Sequence, residues 1–218
     1  MSQIRTRERV AHHGEVFTSE REVNAMLDLV KPETERIESR FLEPACGNGN
    51  FLAQILRRKL AAVERRYRTS QPEYERYAVL AIASLYGIEL LADNVSECRE
   101  RLFEIFYAQY GGIFRDLIKE ECCAAVRYIL RRNILWGDAL TLQYADGSGR
   151  PIVFSEWSPV NGSMLKRRDF TFHGLFEHQS IKVMPLFSDL GDDVFIPEPV
   201  QDFPPVHFMK IAEGFSDE

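Results

Sequence analysis

The chain has 218 residues, is 45% hydrophobic and carries a formal net charge of −6 at pH 7, which suffices for one sizeable core with an appendage. No apolar run approaches the ~20 residues of a membrane span, and the polar start (Ser2, Arg5, Arg7, Glu8, Arg9) does not resemble a signal peptide. Residues 151–218 hold 5 Lys+Arg against 11 Asp+Glu while residues 1–150 are balanced, so the chain lacks the broadly basic face of a protein that grips nucleic acid unaided.

Cys46, Cys98, Cys122 and Cys123 form no Cys-x-x-Cys pair, so neither a zinc site nor a disulfide framework is expected, and a cytoplasmic setting follows. No metal site is expected either, because His12-His13 has no third ligand at helical spacing. The basic clusters Arg57-Arg58-Lys59, Arg65-Arg66, Arg131-Arg132 and Lys166-Arg167-Arg168 read as solvated faces.

Residues 1–13 read as a loose, charged arm. Ser19-Glu20-Arg21-Glu22 is a capping box, and Val23, Met26, Leu27 and Val30 follow at helical spacing until Lys31-Pro32 ends the helix. Phe41 and Leu42 close a buried strand, which Pro44 stops because it has no N–H to donate. Gly47-Asn48-Gly49 forms a tight turn, and Phe51, Leu52, Ile55, Leu56, Leu60, Val63 and Tyr67 mark one face of a long helix. After Ser70-Gln71-Pro72, residues 74–85 read as a second helix and Tyr86–Leu90 as a short strand. Asp93-Asn94 is expected to cap the next helix, and Gly111-Gly112 to separate it from another over about residues 113–131. A third strand, Ile134–Trp136, ends at Gly137-Asp138-Ala139-Leu140.

From Pro151 the composition changes. Asn161-Gly162 is a two-residue hairpin turn that joins 152–160 to 163–172 as an antiparallel pair. Seven of the ten prolines lie from Pro151 onward. Residues 185–218 read as an acidic, Pro-rich tail, with Phe187, Phe195, Phe203, Phe208 and Phe215 spaced to pin it to the domain or a partner, or else partly disordered.

A strand, a glycine turn and a helix start bring backbone N–H groups close to a ligand. Glu89, at the end of the following strand, lies well beyond the ~20-residue spacing of a nicotinamide-binding motif. Taken in order, Gly14-Glu15-Val16-Phe17-Thr18, Glu43-Pro44-Ala45-Cys46-Gly47-Asn48-Gly49-Asn50-Phe51-Leu52, Gly87-Ile88-Glu89 and Gly137-Asp138-Ala139-Leu140 resemble the successive motifs of S-adenosylmethionine-dependent DNA adenine-N6 methyltransferases. The likeness is to modification subunits of restriction-modification systems, over roughly residues 14–142.

The resemblance implies a Rossmann-like class I methyltransferase fold, α/β, with a mostly parallel central sheet, helices on both faces and an irregular C-terminal extension. The methyltransferase-like domain would span 14–184 and the tail 185–218. The resemblance also implies S-adenosylmethionine as cofactor. Phe17 and Thr18 would line its methionine end. Glu43 and the Gly47/Gly49 backbone would hold its amino-acid part, Glu89 its ribose hydroxyls and Asp138 its adenine amine, with Pro44, Ala45, Asn50, Leu90 and Ala139 also in the cofactor-binding set.

The family's Asn-Pro-Pro-Tyr motif, which orients the target amine and stacks the flipped base, is missing. Its slot reads Ser155-Glu156-Trp157-Ser158, where Glu156 could accept the bond and Trp157 stack the base, or the two could belong to a hairpin strand. The implied function is DNA adenine methylation, with a partner subunit supplying DNA recognition and self-association left open. The alternative is a non-catalytic S-adenosylmethionine-binding subunit or sensor of such a system.

Overall fold

The computed structural model describes residues 18–172 and 198–215. Helices α1 (Glu20–Asp28) and α2 (Lys31–Glu35) lead to strand β1 (Phe41–Glu43), and α3 (Asn50–Tyr67) and α4 (Gln71–Ala83) lead to β2 (Leu85–Glu89). Next come α5 (Ala92–Phe114), a 3-10 turn (Arg115–Leu117) and α6 (Glu120–Asn133), which delivers β3 (Ile134–Asp138). After short β4 (Gln143–Tyr144), β5 (Val153–Pro159) and β6 (Met164–Thr171) form a hairpin. The last described stretch holds β7 (Gln201–Asp202), β8 (Val206–His207), a 3-10 turn (Phe208–Lys210) and α7 (Ile211–Gly214).

The protein is α/β. Strands β1, β2 and β3 are parallel and adjacent in chain order, with β4 antiparallel beside β3. Phe41 stands opposite Leu85, and Gly87 opposite both Glu43 and Ile134. All three strands therefore end at one edge, which carries Glu43, Glu89 and Asp138. β2 is buried along its whole length, as expected of a central parallel strand. Gly87 on one face lies against Cys46 and Leu52. Tyr86, Ile88 and Leu135 on the other pack with Ile152, Phe154 and Phe172. The Asn161-Gly162 hairpin forms as expected, pairing Val153 with Thr171 through Pro159 with Leu165.

Local chemistry explains several boundaries. The capping box forms: Ser19 N–H donates to Glu22 Oε2 at 3.1 Å and Glu22 N–H to Ser19 Oγ at 3.4 Å. Pro32 opens α2 as well as closing off α1, since the first turn of a helix needs no N–H from it. Two expectations fail. Leu91, rather than Asp93 or Asn94, is the N-cap of α5, without a side-chain cap bond. Asn94 is instead buried inside the first turn, its Nδ2 3.4 Å from Glu89 Oε1. Gly111-Gly112 does not break the helix, which continues to Phe114. Two interior glycines cost about 2 kcal/mol, but Tyr110 and Phe114 on either side both pack on the buried Tyr74 ring, and a Cβ on Gly111 would come within 3.3 Å of Ile118. The actual break is Arg115, at φ 50°.

The tail is not irregular where it is described. Phe208, Ile211 and Phe215 are buried, β7 and β8 both pair with β6, and Tyr128 of α6 donates to Phe215 O at 2.8 Å. Phe187 and Phe195 lie outside the described residues.

Lys59, read from sequence as part of a solvated cluster, is fully buried. Its ammonium donates to Ile37 O at 2.9 Å, to Ser84 Oγ at 2.6 Å and to Ser39 O, tying α3 to the segments that enter β1 and β2. Burial pushes its pKa down to about 7, against the opposing fields of Glu38 and Glu33. An unfolded lysine titrates near ~10.4, so above pH 7 the unfolded chain holds a proton that the folded chain has released. Stability should therefore rise with pH from about 7. Burial has the reverse effect on the Cys122 and Cys123 thiols, raising the latter to about 11. Stability should accordingly fall once pH passes the unfolded thiol value of ~8.5. Denaturant unfolding is expected to show a maximum near that pH. Lys59→Met should abolish the rise between pH 7 and 8.5, and an unchanged rise in the variant would disprove the assignment.

Candidate functional site

At the end of β1 the chain reverses onto β2: Cys46 N–H donates to Ile88 O at 2.9 Å and Gly49 N–H to Cys46 O at 2.8 Å. Gly47 and Gly49 have φ of 53° and 85°, the left-handed region that glycine enters without a Cβ penalty. Gly49 is the N-cap of α3 and has no side chain with which to cap it. The first-turn amides of this 18-residue helix thus face the turn without a cap bond from that position.

Side chains around the turn lock it in place. Asn50 Nδ2 donates to Thr18 O at 2.9 Å, and Arg101 Nη1 to Asn50 Oδ1 at 2.6 Å. Asn48 Nδ2 donates to Glu97 Oε1 at 3.1 Å. The buried Asn48 Oδ1 has no hydrogen-bond partner among the described residues.

Three acids mark the edge. Glu89 is 9% exposed. Its Oε2 accepts the Gly47 N–H at 2.9 Å and its Oε1 the Leu91 N–H at 3.0 Å, so one carboxylate ties the glycine turn to the start of α5. Glu43 has no ion pair among the described residues, and burial raises its pKa despite a bond from the Ala45 N–H. Asp138 Oδ1 accepts the Leu140 N–H at 2.8 Å, while Ala139 packs on the Tyr86–Ile88 cluster. Leu90 is 50% exposed beside them, and Trp136 Nε1 donates to its carbonyl at 3.0 Å. Pro44 and Ala45 are exposed at the turn.

The two central glycines also serve packing. A Cβ on Gly49 would lie 2.6 Å from Cys98 Sγ, and one on Gly87 would lie 2.9 Å from Cys46 Sγ. The Cys46 and Cys98 thiols meet beneath the turn, and their hydrogen bond, with burial, raises the Cys46 pKa far above the usual thiol range. Cys46 is thereby kept protonated and inert.

The candidate catalytic pair stands elsewhere. Trp157 Nε1 donates to Asn133 Oδ1 at 3.2 Å, and Asn133 Nδ2 donates to Ala83 O and Leu85 O. Those residues lie at the amino ends of β2 and β3. Glu156 pairs with Arg40, which immediately precedes β1, and with Arg168 at 2.6 Å. Trp157 itself is 5% exposed and packs on Tyr128 and Phe215. Both residues therefore belong to the end of the sheet opposite Glu43, Glu89 and Asp138, as parts of the hairpin core. Thr18 reaches the site through its backbone; Phe17 lies outside the described residues.

As residues of the site, Asn48, Asn94, Glu97 and Arg101 escaped the sequence reading, which placed Asn48 only in the glycine turn and Asn94 only as a helix cap. The only signal was Asn at alternate positions in the glycine turn, and nothing pointed to their partners on α5. Among the described residues no group of three or more His, Cys, Asp or Glu is placed to hold a metal, and no helix is long and apolar enough to cross a membrane. No family model, curated protein or solved structure matches the chain.

Proposed function

We propose that the chain binds S-adenosylmethionine and is the cofactor-binding, modification subunit of a DNA adenine-N6 methyltransferase, working with a partner that recognises DNA. The observation that carries this reading is Glu89, a nearly buried carboxylate that holds the glycine turn at the edge shared with Glu43 and Asp138.

The residues present suit the cofactor. Glu89 Oε1 takes the Leu91 N–H and Asn94 Nδ2, while Oε2 takes only the Gly47 N–H and has a further lone pair for a ribose hydroxyl. Glu43, desolvated and without a cation among the described residues, suits the amino group. The first-turn amides of α3 suit the carboxylate. Leu90 offers an apolar surface for the adenine ring, and Asp138 an acceptor for its amine. Thr18, Pro44, Ala45, Asn50 and Ala139 complete the surround. The bound cofactor would supply a methyl group on a sulfonium, and the chain's own task is to hold and orient it.

A second reading, a non-catalytic subunit or sensor, is favoured by one observation. Of the residues in the slot of the missing Asn-Pro-Pro-Tyr motif, Glu156 is ion-paired and Trp157 is buried, both at the other end of the sheet.

Calorimetry tests the shared part of both readings. Wild type should bind S-adenosylmethionine, and Glu89→Gln, which keeps one backbone acceptor, should weaken it by roughly tenfold or more, since a bond to a charged group is worth ~1.5–3 kcal/mol. Asp138→Asn should cost less. Saturable binding of NAD with none of S-adenosylmethionine would sink the proposal. Tritiated methyl transfer to DNA, with and without co-expressed partners, separates the enzyme from the sensor.

A further inference from the structure

Glu89 and Trp136 are register partners on adjacent parallel strands, so their side chains leave the same face of the sheet, from backbones ~4.8 Å apart. Asp138, two residues further along β3, shares that face by alternation. The neighbours agree. Gly87, two residues before Glu89, meets Cys46 and Leu52 on this face, while Gly137 abuts Ile152 on the other, where Ile88 and Leu135 also pack. Trp136 therefore stands between the acid that suits the ribose and the acid that suits the adenine amine. Its indole is held without being covered. Nε1–H donates to Leu90 O at 3.0 Å, which ties β3 to the chain leaving β2, yet the residue stays 38% exposed. Such a tie does not require an exposed ring: Trp157 makes the equivalent bond to Asn133 and is 5% exposed.

We propose that Trp136 is the stacking wall for the purine of the bound cofactor, with the ribose held at Glu89 and the exocyclic amine at Asp138. The inference rests on the S-adenosylmethionine reading for its ligand and adds a residue that sets specificity. Leu90 offers apolar contact to any flat or aliphatic group, whereas an indole face favours an aromatic ring. Because the strand and the bond to Leu90 O fix the indole in advance, no side chain has to be ordered when the base arrives.

Calorimetry and tryptophan fluorescence on the same protein provide the test. Trp157 is buried at the opposite end of the sheet, so quenching by a ligand at this edge reports Trp136. S-adenosylmethionine should quench with the dissociation constant that calorimetry gives. Adenosine should quench the same emission, and methionine, which lacks the base, should not. Trp136→Leu keeps apolar bulk without an aromatic face and should weaken S-adenosylmethionine roughly tenfold. Trp136→Phe keeps a ring but loses the Nε1 donor, and should restore most of that loss; circular dichroism checks the folding of both variants. Calorimetric binding without quenching, quenching by methionine, unchanged affinity in Trp136→Leu, or equal losses in the Leu and Phe variants would overturn the stacking role and leave the cofactor reading standing. Absence of calorimetric binding of both S-adenosylmethionine and its demethylated product would overturn the cofactor reading and the stacking role with it.

Discussion

Gly49→Val should destabilise the protein by about 3–5 kcal/mol, with or without ligand. Two costs combine. At φ 85° a residue with a Cβ loses about 1–2 kcal/mol in the left-handed region, and a β-branched residue more. The new Cβ would also start 2.6 Å from Cys98 Sγ, and overpacking of this kind costs about 1–3 kcal/mol. The substitution would therefore part the glycine turn from α5 before it touched any ligand. Denaturant unfolding of Gly49→Ala, alone and with Cys98→Ala, should separate the costs: the second change relieves the clash and leaves the backbone strain. A Gly49→Val protein as stable as wild type yet unable to bind S-adenosylmethionine would show instead that the glycine serves ligand clearance.

Asp169→Ala should cost about 3–5 kcal/mol and release the C-terminal stretch. Asp169 and Arg167 are 5% and 3% exposed, joined by two bonds, Arg167 Nε to Oδ1 at 2.8 Å and Nη2 to Oδ2 at 2.5 Å. The Arg167 guanidinium also lies 4.2 Å from the Phe203 ring centroid and 5.5 Å from that of Phe215, and donates to Tyr128 Oη at 2.9 Å. Removing the carboxylate leaves a buried, uncompensated cation, which is the costly way to break such a pair. Replacing both members with apolar residues, as in Arg167→Met/Asp169→Leu, should cost much less. Calorimetric melting gives the stability, and limited proteolysis should show cleavage between residues 198 and 215 in the single variant ahead of the rest of the domain. A single variant that melts like wild type would show that the pair contributes no net stability.

Features carried by near neighbours along the chain were legible in the sequence. Ser19 and Glu22 form their capping box, Pro44 ends β1, the glycines of the turn take positive φ, and Asn161-Gly162 turns the hairpin. Each depends on a few adjacent residues whose backbone preferences act locally. The alternation of strands and helices likewise defined an α/β chain whose acids Glu43, Glu89 and Asp138 would gather at one edge, because parallel strands share a direction.

Tertiary structure decided whatever depends on residues distant in sequence. Gly111-Gly112 stays helical because Tyr110 and Phe114 pack on Tyr74, an outcome opposite to the local propensity of two glycines. Lys59 and Arg167 sit in runs of basic residues that read as solvated, yet each finds enough acceptors to be buried. Trp157 points into the core at the amino end of the sheet because Asn133, Tyr128 and Phe215 meet it there. Periodicity and turn chemistry determine which segments form and where they end; the partners of a buried charge or ring are set by how those segments pack, which no local pattern encodes.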